Sequence, residues 1–267
     1  MKNYISQLLS KEKIEYFGIL PLSECRVINP RLYERTFCSW TPKSVIVLLV
    51  PYYSGEYKDR NLSLYAVPRD YHLYFKELYS RIEENLDRAF PEYNFKGFSD
   101  HSPINEVDAA AKCGLGLIGD KYQLINGKYG SYTFIGEIYT DAEFSEYDTC
   151  GIEYCSHCGA CISACPTKDG CLSEITQKKG ELSAEEKLLM IKHRTLWGCD
   201  ICREVCPMNK GVAITPIEFF RTELIPVLNK QTLKGMSKEQ FTSRAYSWRG
   251  KNTILRNIEL FESIAPI

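Results

Sequence analysis

The sequence predicts an α+β protein in three consecutive parts. Residues 1–145 form an N-terminal α/β domain, 146–212 a cysteine-rich domain, and 213–267 a helical segment that packs on the core. Three observations predict this. Strand-like apolar runs fall in the first part. Eight of the twelve cysteines crowd into residues 155–206. Beyond about residue 208 no alternating pattern remains.

Residues up to about 40 read as helix and then irregular chain. VIVLLV, from Val45 to Val50, is a buried strand closed by Pro51. Asp70 caps the helix that follows, in which Leu78, Ile82 and Leu86 recur at helical spacing until Pro91 ends it. The loop GFSDHSPIN leads to a short helix, EVDAAAKCG, stopped by Gly114 in a left-handed conformation. Gly116 and Gly119 keep the next loop, GLGLIGD, open to close backbone approach. GSYTFIGEIYTD resumes as a strand, with Phe134, Gly136 and Ile138 on one face. Ser183 and Glu186 spell a capping box for AEEKLLMIKH. The tail reads as helices and carries nine Lys/Arg against five Glu, a local balance of +4.

Composition narrows the function. A hydrophobic content of 44% with 25% charged residues suits a soluble protein with a real core. The net charge of −1 supplies no global basic field for nucleic acid. The first twenty residues lack the apolar run and cleavage site of a signal peptide, and the six-residue run at 45–50 is too short for a bilayer. A cytoplasmic, soluble monomer without membrane contact is expected. In that reducing compartment a disulfide framework is disfavoured, so clustered cysteines point to metal or redox chemistry.

Cys155, Cys158, Cys161 and Cys165-Pro166 fit the C-x2-C-x2-C-x3-C-P run of two-cluster bacterial ferredoxins. Three closely spaced thiolates on a tight turn reach three irons of one cubane, and the cysteine before proline serves the other cluster. The second burst, Cys199, Cys202 and Cys206-Pro207, needs a fourth ligand, and Cys171 is the nearest. The predicted division crosses between the bursts. Cys155, Cys158, Cys161 and Cys206 hold one [4Fe-4S] cluster; Cys165, Cys171, Cys199 and Cys202 hold the other. Structural zinc is the competing reading, although its sites rarely show this strict spacing. Cys25, Cys38, Cys113 and Cys150 are taken as small packed hydrophobes, with Cys150 a rival for a ligand place. His157 reads as an exposed turn residue. GLGLIG follows a helix and not a strand, so a dinucleotide fold is unsupported.

RDYH at 69–72, DHSPINE at 100–106, AAKCGLGLIGDKYQLIN at 110–126, GSYTFIGEIYTD at 130–141, the cysteine run with CPT, CLSEIT and GCDICREVCPMN occur in that order. Together they resemble the epoxyqueuosine reductase family, over about residues 40–260, with wider kinship to reductive dehalogenases. The resemblance implies a nitroreductase-like sheet with flanking helices, a ferredoxin-like two-cluster domain and base-off cobalamin without a protein ligand. It implies reduction of epoxyqueuosine to queuosine in tRNA, with electrons from an external flavodoxin- or ferredoxin-type donor. Asp100, opening D-x-x-P-x-x-E with Pro103 and Glu106 in step, is the implied acid and a cofactor contact; on residues alone it reads as a turn or cap. Gly116, Leu124, Ile125, Ser131, Ile135 and Gly136 are the implied corrinoid contacts, against ordinary strand or turn roles.

The chain also departs from the family pattern. It stops soon after Arg256-Asn257, where helical repeats are usual. Gly119-Asp120-Lys121 puts an acid where lysine is expected, the Cys165–Cys171 loop is short, and Met208 replaces a tryptophan. These changes bear on the substrate more than on the cofactors. A small epoxide or halogenated compound, or an electron-transfer role without catalysis, are the alternatives.

Overall fold

Density of β-branched and aliphatic residues makes 44–51 a strand buried on both faces. In the computed structural model, which describes residues 1–262, all eight residues of that strand are buried. Four strands form one antiparallel sheet: β1 (Phe17–Pro21), β2 (Ser44–Pro51), β3 (Phe95–Ser99) and β6 (Thr133–Thr140), in the order β1-β2-β6-β3. Between β3 and β6 in sequence lies a two-stranded ribbon, β4 (Leu117–Ile118) with β5 (Leu124–Ile125). Sequence reading places only β2 and β6. The five-residue strands FGILP and FKGFS carry Gly or Pro and too few alternations to stand out, and the ribbon strands have two residues each.

Helices α1 (Lys2–Lys11), α2 (Pro30–Thr36), α3 (Tyr71–Ala89) and α4 (Glu106–Lys112) accompany the sheet. Asp70 caps α3 as expected, its Oδ1 accepting from the His72 amide at 3.0 Å. Leu78, Ile82 and Leu86 are buried, joined by Tyr74, Phe75 and Tyr79. On one face of the sheet, α3 packs so closely that a Cβ on Gly136 would stand 2.6 Å from both Phe75 and the Tyr79 hydroxyl. That hydroxyl enters the β3–β6 ladder: it accepts from the Glu137 amide at 3.1 Å and donates to the Phe98 carbonyl. On the other face, Val45, Val47 and Leu49 of β2 and Ile135 and Tyr139 of β6 pack with Ala109, Ala110 and Ala111 of α4. Gly114 ends α4 at φ +70, as expected.

Helices α5 (Ala160–Ala164), α6 (Leu172–Gln177), α7 (Ala184–Lys192), α8 (Ile201–Glu204), α9 (Lys230–Gly235), α10 (Lys238–Thr242) and α11 (Lys251–Glu262) follow. The expected capping box at Ser183 and Glu186 is present, and Ser237 with Gln240 forms another. The tail is helical; residues 263–267 lie outside the described residues.

The chain divides into two interleaved compact units. One comprises 1–52, 74–159 and 207–217, the other 53–73, 160–206 and 218–267. The divisions expected at 145 and 212 therefore do not bound the compact units. The reason is packing: Leu62, Ala66 and Val67 share one core with Leu196, Trp197, Leu228, Tyr246 and Ile254. Asn257 ties the tail to the same unit, donating to the Thr176 and Leu196 carbonyls at 2.8 and 2.9 Å.

Candidate active site

Asp100 follows directly on β3 and is exposed, in the left-handed region at φ +64. Asp tolerates that region better than most side chains, and non-glycine residues held there concentrate at functional sites. The turn is fixed beneath it. The His101 amide donates to the Ser99 carbonyl at 2.8 Å, and Ser102 to the Asp100 carbonyl at 3.0 Å. The Pro103 carbonyl accepts from the amides of Ile28 and Asn29, and the Asn105 amide donates to Arg26. Asn105 also caps α4 through the Asp108 amide at 3.1 Å.

Two further carboxyls stand behind this turn. Glu106 opens α4, and burial pushes its carboxyl up to about 8, with the charges of Glu137 and Asp100 adding to the effect. The Asp100 amide donates to it and opposes the shift. Glu137 of β6 is 1% exposed, and burial raises it to about 7 despite hydrogen bonds from the hydroxyls of Ser102 and Tyr139. Tyr139 donates to Glu137 Oε2 at 2.7 Å, and Ser102 donates to the same oxygen. Glu106 Oε2 and Glu137 Oε1 are buried with no hydrogen-bond partner among the described residues. Sequence reading missed Glu137, although a glutamate inside the apolar strand TFIGEIYT is itself a signal.

The six candidate corrinoid contacts lie in the same unit. Ser131 is buried and bound to Asn209: its amide donates to Oδ1 at 2.8 Å, and its Oγ accepts from Nδ2 at 2.9 Å. Leu124, Ile125 and Ile135 are buried at 5–7% exposure. The space a side chain would need at Gly116 is taken by the Ile125 carbonyl, 2.5 Å from an added Cβ. Gly116 and Gly136 are thus accounted for by the chain's own packing and offer no cradle. The Thr133 hydroxyl, at the start of β6, is buried and orphaned among the described residues. An orphaned buried hydroxyl is the kind of atom a ligand's polar group satisfies, and Thr133 lies on β6 two residues before Ile135.

None of the eight cysteines of the two bursts is joined in a disulfide, and none is fully buried. Cys199 is pushed up to about 12, by burial first, with the nearby thiols of Cys171 and Cys202 contributing. Cys171 and Cys202, of the same predicted ligand set, therefore both lie within electrostatic reach of Cys199. Gly170 and Gly198 precede two of them at φ +78 and +74, turning the chain sharply before each thiol. The Thr167 hydroxyl closes the loop after Cys165, donating to the Gly170 carbonyl at 3.1 Å and lying 3.5 Å from Cys165 Sγ. Asp200, between Cys199 and Ile201, is 3% exposed. It accepts from Ser63 Oγ and the Leu64 amide, each at 2.7 Å, and pairs with Arg60 at 3.1 Å. This donor set fits iron–sulfur ligation: reduced, grouped thiols on glycine turns.

The remaining cysteines divide. Cys113 packs in the core and Cys25, partly buried, packs against it, as expected, whereas Cys38 is exposed. Cys150 is also exposed, and its Sγ faces the Ala111 carbonyl at 3.5 Å. His157, exposed on its turn at φ +52, contacts the Asp120 carboxylate at 2.5 Å. With Cys155 Sγ, their ligand atoms lie within 4.8 Å of one another. The acid that departs from the family pattern thus has a partner inside the cysteine run.

A family model described as "Epoxyqueuosine reductase QueG, DUF1730" matches residues 35–101. An epoxyqueuosine reductase of Listeria monocytogenes is 33% identical over 279 residues, covering 94% of this chain and 71% of that protein. The chain belongs to the epoxyqueuosine reductase family. That makes it an oxidoreductase. It spans between 53% and 74% of the length of four such relatives. A crystal structure of an epoxyqueuosine reductase with an epoxyqueuosine-modified tRNA stem loop has the same fold, with a TM-score of 0.77 at 23% identity. The match covers 97% of this chain and 81% of that one. A catabolic reductive dehalogenase shares the fold more distantly, with a TM-score of 0.50 at 15% identity over 96% of this chain and 36% of that one. The family's mixed helix and sheet architecture is therefore the architecture of this protein. Among the described residues no helix is long and apolar enough to cross a membrane.

Proposed function

We propose that this protein reduces epoxyqueuosine to queuosine in tRNA, using two [4Fe-4S] clusters and a corrinoid. The observation that carries the reading is the Asp100 turn: an exposed carboxyl on a pinned, left-handed backbone, backed by two buried carboxyls. Family membership supplies the substrate class, and the relative solved with a modified tRNA stem loop supports tRNA as its carrier.

Opening an epoxide to an alkene needs an acid for the departing oxygen. In this reading Asp100 gives that proton, and the turn from Ser99 to Ser102 orients its carboxyl. Leu124, Ile125 and Ile135 exclude water around the reacting group, while Ser131, fixed by Asn209, and the Thr133 hydroxyl hold its polar edge. The corrinoid, when bound, supplies the strongly reducing metal centre that protein side chains lack. Cys155, Cys158, Cys161 and Cys206 hold one cluster; Cys165, Cys171, Cys199 and Cys202 hold the other. Support comes from their spacing and from the electrostatic proximity of Cys171, Cys199 and Cys202. An external flavodoxin- or ferredoxin-type donor in the cytoplasm feeds them, and the protein acts as a monomer.

Anaerobic protein reconstituted with iron, sulfide and cobalamin is expected to convert epoxyqueuosine in a tRNA anticodon stem-loop to queuosine. Absence of turnover with clusters and corrinoid both loaded would overturn this substrate.

A further inference from the structure

Removing an epoxide oxygen consumes two electrons and two protons. Two C–O bonds break, a C=C π bond forms, and the oxygen leaves as water. Asp100 brings one proton. The proposed reaction, on which the present inference rests, needs a second before the oxygen can depart.

Glu106 is placed to supply it. The Asp100 amide donates to its carboxyl, and the two carboxyls act on each other electrostatically. Glu106 Oε2 lies buried without a partner among the described residues. On the far side, Glu137 is almost wholly buried; its Oε2 is taken by Ser102 and Tyr139 while its Oε1 is orphaned. An unpaired buried carboxylate is costly, and two of them acting on each other cannot both stay ionised. The cluster therefore retains a proton at neutral pH. The titratable groups around it are Asp100 on the turn, Tyr79 of α3, Glu137 and Tyr139 of β6, and Cys25, which senses both Glu137 and Lys112.

We propose that Glu106 is a positioning residue that stores the second proton and passes it to Asp100. In the first half, Asp100 protonates the ring oxygen as one C–O bond opens. Asp100, now a carboxylate, takes the proton of Glu106. It then protonates the resulting hydroxyl, which leaves as water when the second C–O bond breaks. The two electrons come singly from the external flavodoxin- or ferredoxin-type donor. Glu106 is reloaded from solvent through exposed Asp100.

The test pairs an infrared measurement with kinetics. Wild-type protein without cofactors is expected to show the carbonyl stretch of neutral buried carboxylic acid at pH 7, and Glu106→Gln to lose the share that belongs to Glu106, leaving the share of Glu137 that Glu137→Gln removes. Reconstituted Glu106→Gln should show kcat down about 10²-fold with KM unchanged. It should also lose the alkaline decline that wild type shows above about pH 8. Glu106→Asp keeps an ionisable group; it should recover part of kcat and show a displaced alkaline limb, which a packing role would not produce. The inference is overturned if the carbonyl band is absent from wild type or is undiminished in Glu106→Gln. Wild-type kcat and pH profile in Glu106→Gln would also overturn it. If wild type reduces no epoxyqueuosine, the substrate assignment falls, and the infrared band still decides whether Glu106 holds the proton.

Discussion

Asp100 occupies a backbone conformation that costs most side chains but is tolerated by Asp and Asn. Asp100→Asn should therefore keep the fold and lose the proton. Reconstituted variant is expected to bind cobalamin with unchanged absorbance while turnover drops about 10²–10⁴-fold; an unchanged rate would remove Asp100 from the acid role. Glu106 also links stability to pH. Its carboxyl rises from 4.5 to about 8 on folding, so the fold favours its neutral form. That stabilisation is complete below about pH 4.5 and lost as pH rises through about 8. Urea unfolding of the cofactor-free protein should show stability falling between about pH 4.5 and 8 and levelling above that, and Glu106→Gln should flatten the fall. Asp100 was legible through D-x-x-P-x-x-E. Glu137 was not, because nothing local marks which face of a buried strand meets a helix start 31 residues earlier in the sequence; only the folded β6 brings it to Glu106.

At the scale of elements, α5 and α8 stand out. They have five and four residues and bury no side chain. Helices that short are marginal in water, so they need another source of order, and under the proposed function metal ligation by Cys161 and Cys202 would supply it. Hydrogen exchange should show α5 and α8 losing protection when iron is removed, with β2 and β6 unchanged; equal protection with and without iron would contradict this. Gly136 tests the other face of the sheet. Gly136→Ala puts a methyl 2.6 Å from Phe75 and the Tyr79 hydroxyl and should cost about 1–3 kcal/mol by chemical denaturation. The long strands and the α7 capping box were legible because each repeats or brackets its own signal. β1, β3 and the β4–β5 ribbon were not, because their partners, and not their patterns, make them strands.

For the whole molecule, sequence reading expected consecutive domains, and the packing interleaves them. Motif order along a chain says which residues share a chemistry but not which segments share a core. Residues 53–73 join the second unit through Asp200, whose buried carboxylate takes Ser63, Leu64 and Arg60. Asp200→Ala leaves Arg60 without that partner and should destabilise the second unit by about 3–5 kcal/mol, with iron content after reconstitution reduced.

The interleaving also sets a timetable for biosynthesis. Leu62, Ala66 and Val67 emerge from the ribosome early, yet their core is complete only when Tyr246 and Ile254 have been made. The core of the second unit therefore closes only after Ile254 has been made, and under the proposed function the cluster held by Cys165, Cys171, Cys199 and Cys202 would be assembled late relative to translation. Nascent chains arrested near residue 217 should acquire little stable iron, whereas chains released after residue 262 should load fully.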